Sequence, residues 1–346
     1  MKILSVGTFA KISNTSLHRH WALEKNAETV DAIDTSAKHT SLWYRIAYHL
    51  FLWGLPIKLP EGNRENARIK EQISKNKYDI VWIDKGVTID ASTLAFIKEK
   101  SPDTIIASYS PDNMALRHNQ SQQYLECIPF YDFIFTNKSY ILDEMKSLGA
   151  KRIYFVNNSY EAQFHYPHTL TQEEIFRLGG DVGFVGSWEE ERCRSILYLA
   201  NHGIKVKVFG DEKWKKYNNY SPNLTIITGG LFSEDYSKAL QAFKISLCFL
   251  RKMNDDLQTT RTVEIPACGG FMLAERTTEH QNMFVEGKEA DFFSSDEELL
   301  EKCKYYLSHD KERRDIAKAG NQRCKDFGYS NEETIRHLLD IIRSHQ

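Results

Sequence analysis

Short apolar runs rich in Ile, Val, Phe and Tyr recur along the whole chain, separated by longer stretches of helical pattern. In the first half, KILSVG (2–7), ETVDAI (28–33), YDIVWID (78–84), DTIIASY (103–109), YDFIFTN (131–137) and RIYFVN (152–157) read as strands. Residues 61–75 and 138–148 read as helices between them, the second stopped by Gly149. Strands alternating with helices of this length predict a parallel sheet covered on both faces.

The pattern then pauses. NNSYEAQFHYPHTLT (157–171) is polar and aromatic, holds Pro167 and has no period, so it reads as an interdomain connection. After it the alternation restarts with DVGFVGS (181–187), IKVKVFG (204–210), LTIIT (224–228), KISLCFL (244–250), GFMLAE (270–275) and ADFFSS (290–295). Helices are predicted over 189–201, 233–243 and 297–307, and the tail from Lys311 is charged, helical and amphipathic. The chain therefore reads as two doubly wound α/β units, over 1–160 and 171–325, followed by a C-terminal helix within 326–346. A cleft between the carboxyl-end edges of two such sheets is where a ligand is expected.

One segment departs from this pattern. SLWYRIAYHLFLWGLPIKLP (41–60) is interrupted by Arg45 and His49 and ended by Gly54 and Pro56, well short of a membrane span. Its aromatics, Trp43, Tyr44, Tyr48, Phe51 and Trp53, are expected in the core, with contact to a membrane or lipid acceptor as the other reading.

Composition removes several classes. The 346 residues suit two domains, and a formal net charge of −2 argues against nucleic acid as a partner. None of the six cysteines forms a Cys-x-x-Cys pair or stands beside a histidine at ligand spacing, so no metal site and no disulfide framework is predicted. Scattered thiols, and a first apolar stretch too short for a signal peptide, suggest the cytoplasm, with a peripheral seat on the inner face of the membrane as the extension of that reading.

Candidate chemistry in the first half lies just past the strands. Gly7 ends the first strand without a G-x-G-x-x-G motif, yet can let a substrate approach a helix start. His18 and Arg19 either meet an acceptor or phosphate or stand on an exposed helix face. Lys85 either faces the cleft or is a solvated loop lysine. Asp112, after Pro111, is either the carboxylate that binds or deprotonates an acceptor or part of an Asx turn.

In the second half, Gly183 and Gly186 flank a buried strand, and Ser187 can cap the next helix with Glu190 in a capping box. Arg192 and Arg194 oppose the dipole of that helix, which makes better sense beside a diphosphate. Within TTRTVEIPACGGF (259–271), Thr259 or Thr260 can cap a short helix carrying Arg261 and Glu264 on one face. Those two residues either pair on the surface before a Gly269-Gly270 helix stop or clamp a ligand bearing phosphate and hydroxyls. Asp256 stands eight positions before Glu264, so two acids bracket the loop.

RTVEIPACGGFMLAE (261–275), with WIDKG, SYSPDN and FVGSWEEER, resembles the CgeB-like (spore maturation protein-like) branch of the group 1 glycosyltransferases, over most of the chain. The resemblance implies GT-B architecture, two Rossmann-like domains facing across a cleft, with the C-terminal helix within 326–346 packing back on the first. It also implies a metal-independent transfer from a nucleoside-diphosphate sugar to an acceptor hydroxyl of a glycan, lipid-linked or protein acceptor, in surface glycan or glycoconjugate synthesis, with no further cofactor. On this resemblance Glu264 holds the ribose, Asp256 contacts the donor sugar, and Arg192 and Arg261 take the diphosphate, with Gly186 and Thr260 beside them. Arg261 and Asp112 are then the catalytic candidates, and Gly7, His18, Lys85 and Asp112 form the acceptor side. Asp256 departs from the glutamate usual there, and Ser110-Pro111-Asp112 stands where many relatives carry a histidine. Two alternatives follow: a nucleotide-sugar epimerase of the same fold, and a catalytically silent nucleotide-sugar binding protein.

Overall fold

The computed structural model describes residues 1–37 and 41–345. The chain divides into two units, one of Met1–Asn157 with the chain end from Asn331, the other of Asn158–Ser330.

The first unit carries β1 (Lys2–Gly7), α1 (Thr15–Asn26), β2 (Thr29–Asp34), α2 (Leu42–Leu52), α3 (Glu65–Lys75), β3 (Ile80–Asp84) and α4 (Ala91–Lys100). It continues with β4 (Ile105–Ser110), α5 (Gln122–Cys127), β5 (Phe133–Thr136), α6 (Leu142–Ser147) and β6 (Ile153–Phe155). The strands pair in parallel in the order β2-β1-β3-β4-β5-β6. Because side chains alternate across a strand, each run feeds two cores. Leu4, Val6, Val81, Ile83, Ile106 and Ile134 meet α3, α4 and α5 on one face. Ile3, Trp82, Ala107, Tyr109, Phe133 and Phe135 cover the other.

The second unit begins with α7 (Gln172–Leu178), β7 (Gly180–Val185), α8 (Glu190–Asn201), β8 (Val206–Gly210), β9 (Leu224–Thr228) and α9 (Ser233–Ala242). After these come β10 (Phe243–Cys248), α10 (Arg261–Ala267), β11 (Met272–Glu275), α11 (Thr278–Met283), β12 (Asp291–Phe293), α12 (Asp296–Ser308) and α13 (Asp310–Asp326). Its parallel order is β12-β11-β10-β7-β8-β9. The chain runs outward from β7 through β8 and β9, then returns to place β10 on the other side of β7. That reversal opens a crevice at the carboxyl ends of the strands. In the first unit the same reversal lies between β1 and β3.

The final helix, α14 (Asn331–Arg343), belongs to the first unit. Its Ile335, Leu338, Leu339 and Ile342 follow the i, i+3, i+4, i+7 spacing of one helix face and join the core containing Ile3, Ala22 and Leu23.

The two doubly wound sheets are as the sequence predicts, but local details differ. Helix α3 starts at Glu65 rather than at residue 61, because Arg64 before it is in the left-handed region at φ 52°. Of the aromatics of residues 41–60, Phe51 is core as expected and Tyr44 half-buried, while Trp43, Tyr48 and Trp53 are 61%, 42% and 78% exposed. The reason is that α2 packs through one narrow face only, Ala47 and Phe51 closing a small cluster with Leu59.

Candidate functional site

The strand reversal in the second unit gathers three loops. Val185-Gly186-Ser187 leaves β7, Gly210-Asp211-Glu212 leaves β8, and Gly229-Gly230-Leu231-Phe232 leaves β9. With Tyr236 of α9 and Arg261 of α10 they line a concavity of about 430 Å³. That volume suits a small-molecule ligand.

Gly186 and Arg261 depend on each other. A Cβ on Gly186 would lie 2.7 Å from the Phe184 ring and 2.9 Å from the Arg261 guanidinium, so only glycine lets the arginine approach. Arg261 Nε donates to the Val185 carbonyl at 2.7 Å, and the cation lies 5.7 Å from the Phe184 ring centre. Burial disfavours this cation, but the surroundings, Tyr236 and Glu264 foremost, outweigh it and raise its pKa.

Arg192 sits on the same ring, 5.5 Å from its centre. It donates to the carbonyls of Leu250 (2.9 Å) and Ser187 (3.2 Å) and pairs with Glu189 at 3.2 Å. Its buried Nε finds no acceptor among the described residues. Burial, and then the like charge of Arg261, lower its pKa. Two partly desolvated cations therefore converge at the end of β7. Arg192 nevertheless lines a second depression of about 510 Å³ together with the exposed Arg194, which lies 3.8 Å from Asp296.

Glu264 is 7% exposed, and it is engaged within the protein. Its Oε2 accepts from the Tyr236 hydroxyl at 2.5 Å, and its Oε1 is 3.9 Å from His165 Nε2. His165 Nδ1 in turn accepts from the Glu161 backbone N–H at 3.1 Å, and the ring meets Tyr236 edge-on. Burial, then the Glu264 charge, push the Tyr236 phenol well above its usual range, so it stays a donor. Arg261 and Glu264 thus turn to different partners, and the surface ion pair is not how they are used. A ribose reaching Glu264 would share the carboxylate with Tyr236.

Helix α10 has only seven residues, and two predicted caps are corrected. Thr260 is in the helical region and makes no side-chain cap. Thr262 closes the turn instead, its Oγ1 accepting from the Thr259 N–H at 3.0 Å. The N–H groups of Thr262, Val263 and Glu264 are taken by the carbonyls of Thr259 and Thr260, so anion binding at this turn falls to the Arg261 side chain. Ser187 does not cap α8, because that helix starts at Glu190 with Glu189 in the cap position and no capping side chain. At the other end of α10, Gly270 N–H donates to Ile265 (3.0 Å) and Gly269 N–H to Pro266 (2.8 Å), with Gly269 at φ 76°. This is a Schellman stop, so the double glycine is structural. Asp256 is half-buried in the preceding loop, its Oδ1 accepting from Asn254 Nδ2 at 2.8 Å.

In the first unit, Gly7, Lys85 and Asp112 lie at or just beyond the carboxyl ends of the neighbouring strands β1, β3 and β4. Lys85, at φ 64°, sets its Nζ 2.5 Å from Asp112 Oδ2. A Cβ on Gly7 would stand 2.4 Å from Ser16 Oγ, so this glycine serves the packing of α1. His18 and Arg19 are corrected: both are buried rather than on an exposed face. His18 holds the Ile12 carbonyl at 2.7 Å and stacks on Trp21. Arg19 makes a bidentate pair with Asp84 (2.8 and 2.7 Å) over the Tyr109 ring.

Residues 190–340 match the family model described as glycosyl transferase-like. The matched stretch contains Arg192, Asp256, Thr260, Arg261 and Glu264. No curated protein matches the sequence. Solved structures similar over the whole chain include Anabaena HepE in complex with UDP and glucose, at 12% identity, 100% of both chains and a TM-score of 0.63. Sucrose-phosphate synthase from Thermosynechococcus elongatus is similar at 11% identity and TM-score 0.71, covering 99% of this chain and 98% of that one. A putative UDP-N-acetylglucosamine 2-epimerase from Listeria monocytogenes is similar at 14% identity and TM-score 0.58, covering 99% and 96%. The fold is therefore GT-B, with two Rossmann-like units.

Two residues around Glu264 escaped the sequence reading. Tyr236 lies inside an amphipathic helix with no motif around it, and its contact spans 28 positions. His165 lies in the connection QFHYPH, where the run of rings was the one available sign.

Proposed function

We propose that this chain is a metal-independent glycosyltransferase of the CgeB-like branch, taking a nucleoside-diphosphate sugar at the carboxyl ends of β7, β8 and β9. The observation that carries this reading is the 430 Å³ concavity lined by Gly186, Tyr236 and Arg261, which adjoins the Glu264 network. The UDP and glucose in the similar Anabaena structure support a uridine diphosphate donor as the first to try.

On this reading Arg261 takes the diphosphate and stabilises the charge that develops on it as the glycosidic bond breaks. Arg192, on the same Phe184 ring, assists through its charge. No cation is needed in that role when two guanidinium groups supply the positive charge. Glu264, oriented by Tyr236, holds the ribose, and Asp256 the donor sugar, with Thr260 at the turn between them. Asp112 binds or deprotonates the acceptor hydroxyl, and Lys85 fixes its position. The acceptor is a glycan, lipid-linked or protein hydroxyl in surface glycan or glycoconjugate synthesis, and the compartment is the cytoplasm.

Product analysis tests the reading. The chain is incubated with UDP-, GDP-, dTDP- and CMP-sugars, with and without a broad acceptor panel. Acceptor-dependent release of nucleotide with a new glycoside is the expected result. An isomerised nucleotide sugar formed without acceptor would establish the epimerase instead. Binding without turnover on any acceptor would make the chain a silent nucleotide-sugar binder.

A further inference from the structure

The outward face of α2 is apolar and unusually aromatic for an exposed helix. Leu42, Ile46 and Trp53 lie along that face, 74%, 43% and 78% exposed, with the exposed His49 between Ile46 and Trp53 and Trp43 at 61% beside them. Leu52 and Tyr48 extend the patch, each more than two-fifths exposed. Isolated exposed apolar side chains are ordinary, whereas a contiguous run of them marks a surface that binds something. The opposite face holds Ala47 and Phe51, so the helix is fixed to its unit with the aromatic side outward.

Charge selects among occupants. Residues 41–60 contain Arg45, His49 and Lys58 and no acidic residue, and of these Lys58 is paired with Glu126 at 2.9 Å. Arg45 and His49 are exposed alongside the apolar row. A second copy of the chain docking through the same face would set one basic segment without acidic residues against another, which is unfavourable. An anionic lipid surface complements them, while its interfacial layer accepts Trp and Tyr rings that are apolar in body and polar at one edge. Eleven residues of α2 are too few to cross a bilayer, and among the described residues no helix is long and apolar enough to do so. The geometry is that of a helix lying in the plane of the interface.

We propose that α2 docks the protein on an anionic phospholipid surface, with Trp43 and Trp53 as its anchors and Arg45 and His49 meeting the headgroups. This inference stands apart from the donor chemistry and is tested without it. The full chain is floated with vesicles of phosphatidylcholine alone and of equimolar phosphatidylcholine and phosphatidylglycerol. It should float with the anionic vesicles, and Trp43→Ala/Trp53→Ala should weaken that partition at least about tenfold. Arg45→Glu should weaken it on the anionic vesicles and lessen its dependence on salt. Melting temperature controls for folding, and the exposed positions of both tryptophans predict little change.

Absence of the wild-type chain from the floated anionic fraction overturns the proposal. So does a double variant that floats as well as wild type. Self-association in sedimentation velocity that the double variant abolishes, without flotation of either, assigns the face to a second copy instead.

Discussion

At the scale of single residues, the central arrangement is Gly186 making room for Arg261 while Tyr236 and His165 surround Glu264. Gly186→Ala would press a methyl group against the guanidinium, displacing it from the Val185 carbonyl. We expect about tenfold weaker nucleotide-sugar binding by calorimetry, together with a lowered melting temperature, because the methyl also meets the buried Phe184 ring. Tyr236→Phe removes the short donor to a buried carboxylate, so unfolding in urea should show a loss of about 1–3 kcal/mol. A value near zero would mean that another donor replaces the phenol. Arg261 and Glu264 were legible as candidates because an arginine and an acid one turn apart before a double glycine stand out. Their partners were not, since a contact such as Glu264 with Tyr236 leaves no trace in local spacing. Arg19 illustrates the converse: a helix-start arginine looks available for a phosphate until Asp84, 65 positions away, is seen to hold it.

At the scale of elements, the twelve strands among the described residues were readable: central strands such as β3 and β7 are buried between two helical layers and apolar along most of their length, while the edge strands β2 and β9, only partly buried, were marked by their short β-rich runs. Helix starts were less readable: α8 and α10 lack the side-chain caps their sequences advertise. Helix α2 was misread because an apolar aromatic run says that surface is available for burial, not which neighbour buries it. Behind α10, Thr262 Oγ1 lies 2.8 Å from His280 Nε2, and His280 Nδ1 holds the Glu275 carbonyl at 2.7 Å. Burial lowers the His280 pKa to about 4. The unfolded chain therefore binds a proton below about pH 6.5, whereas the folded chain resists it until about pH 4. The stability tied to neutral His280 is full above pH 6.5 and is lost as pH falls through that window. Between pH 7 and pH 5 wild type should lose about 2 kcal/mol more than His280→Gln in urea titrations. Equal losses would show that the imidazole is not held neutral.

At the scale of the whole molecule, the two sheets differ in strand order yet reverse beside their first strand, and each collects candidate residues at its carboxyl edge. The final helix closes the first unit: Leu338→Ala, at 1% exposure, should destabilise it by about 2–5 kcal/mol without altering nucleotide affinity. Loss of affinity in that variant under folding conditions would show that the second unit does not bind donor by itself. The measurement that bears most directly on the account is nucleotide-sugar binding by wild type and Arg261→Ala, read as thermal stabilisation across UDP-, GDP-, dTDP- and CMP-sugars. At a hundred times the dissociation constant, one donor should stabilise wild type by about 2.7 kcal/mol, and Arg261→Ala should lose most of that shift. Equal stabilisation of both proteins, or none by any nucleotide sugar, would contradict the site.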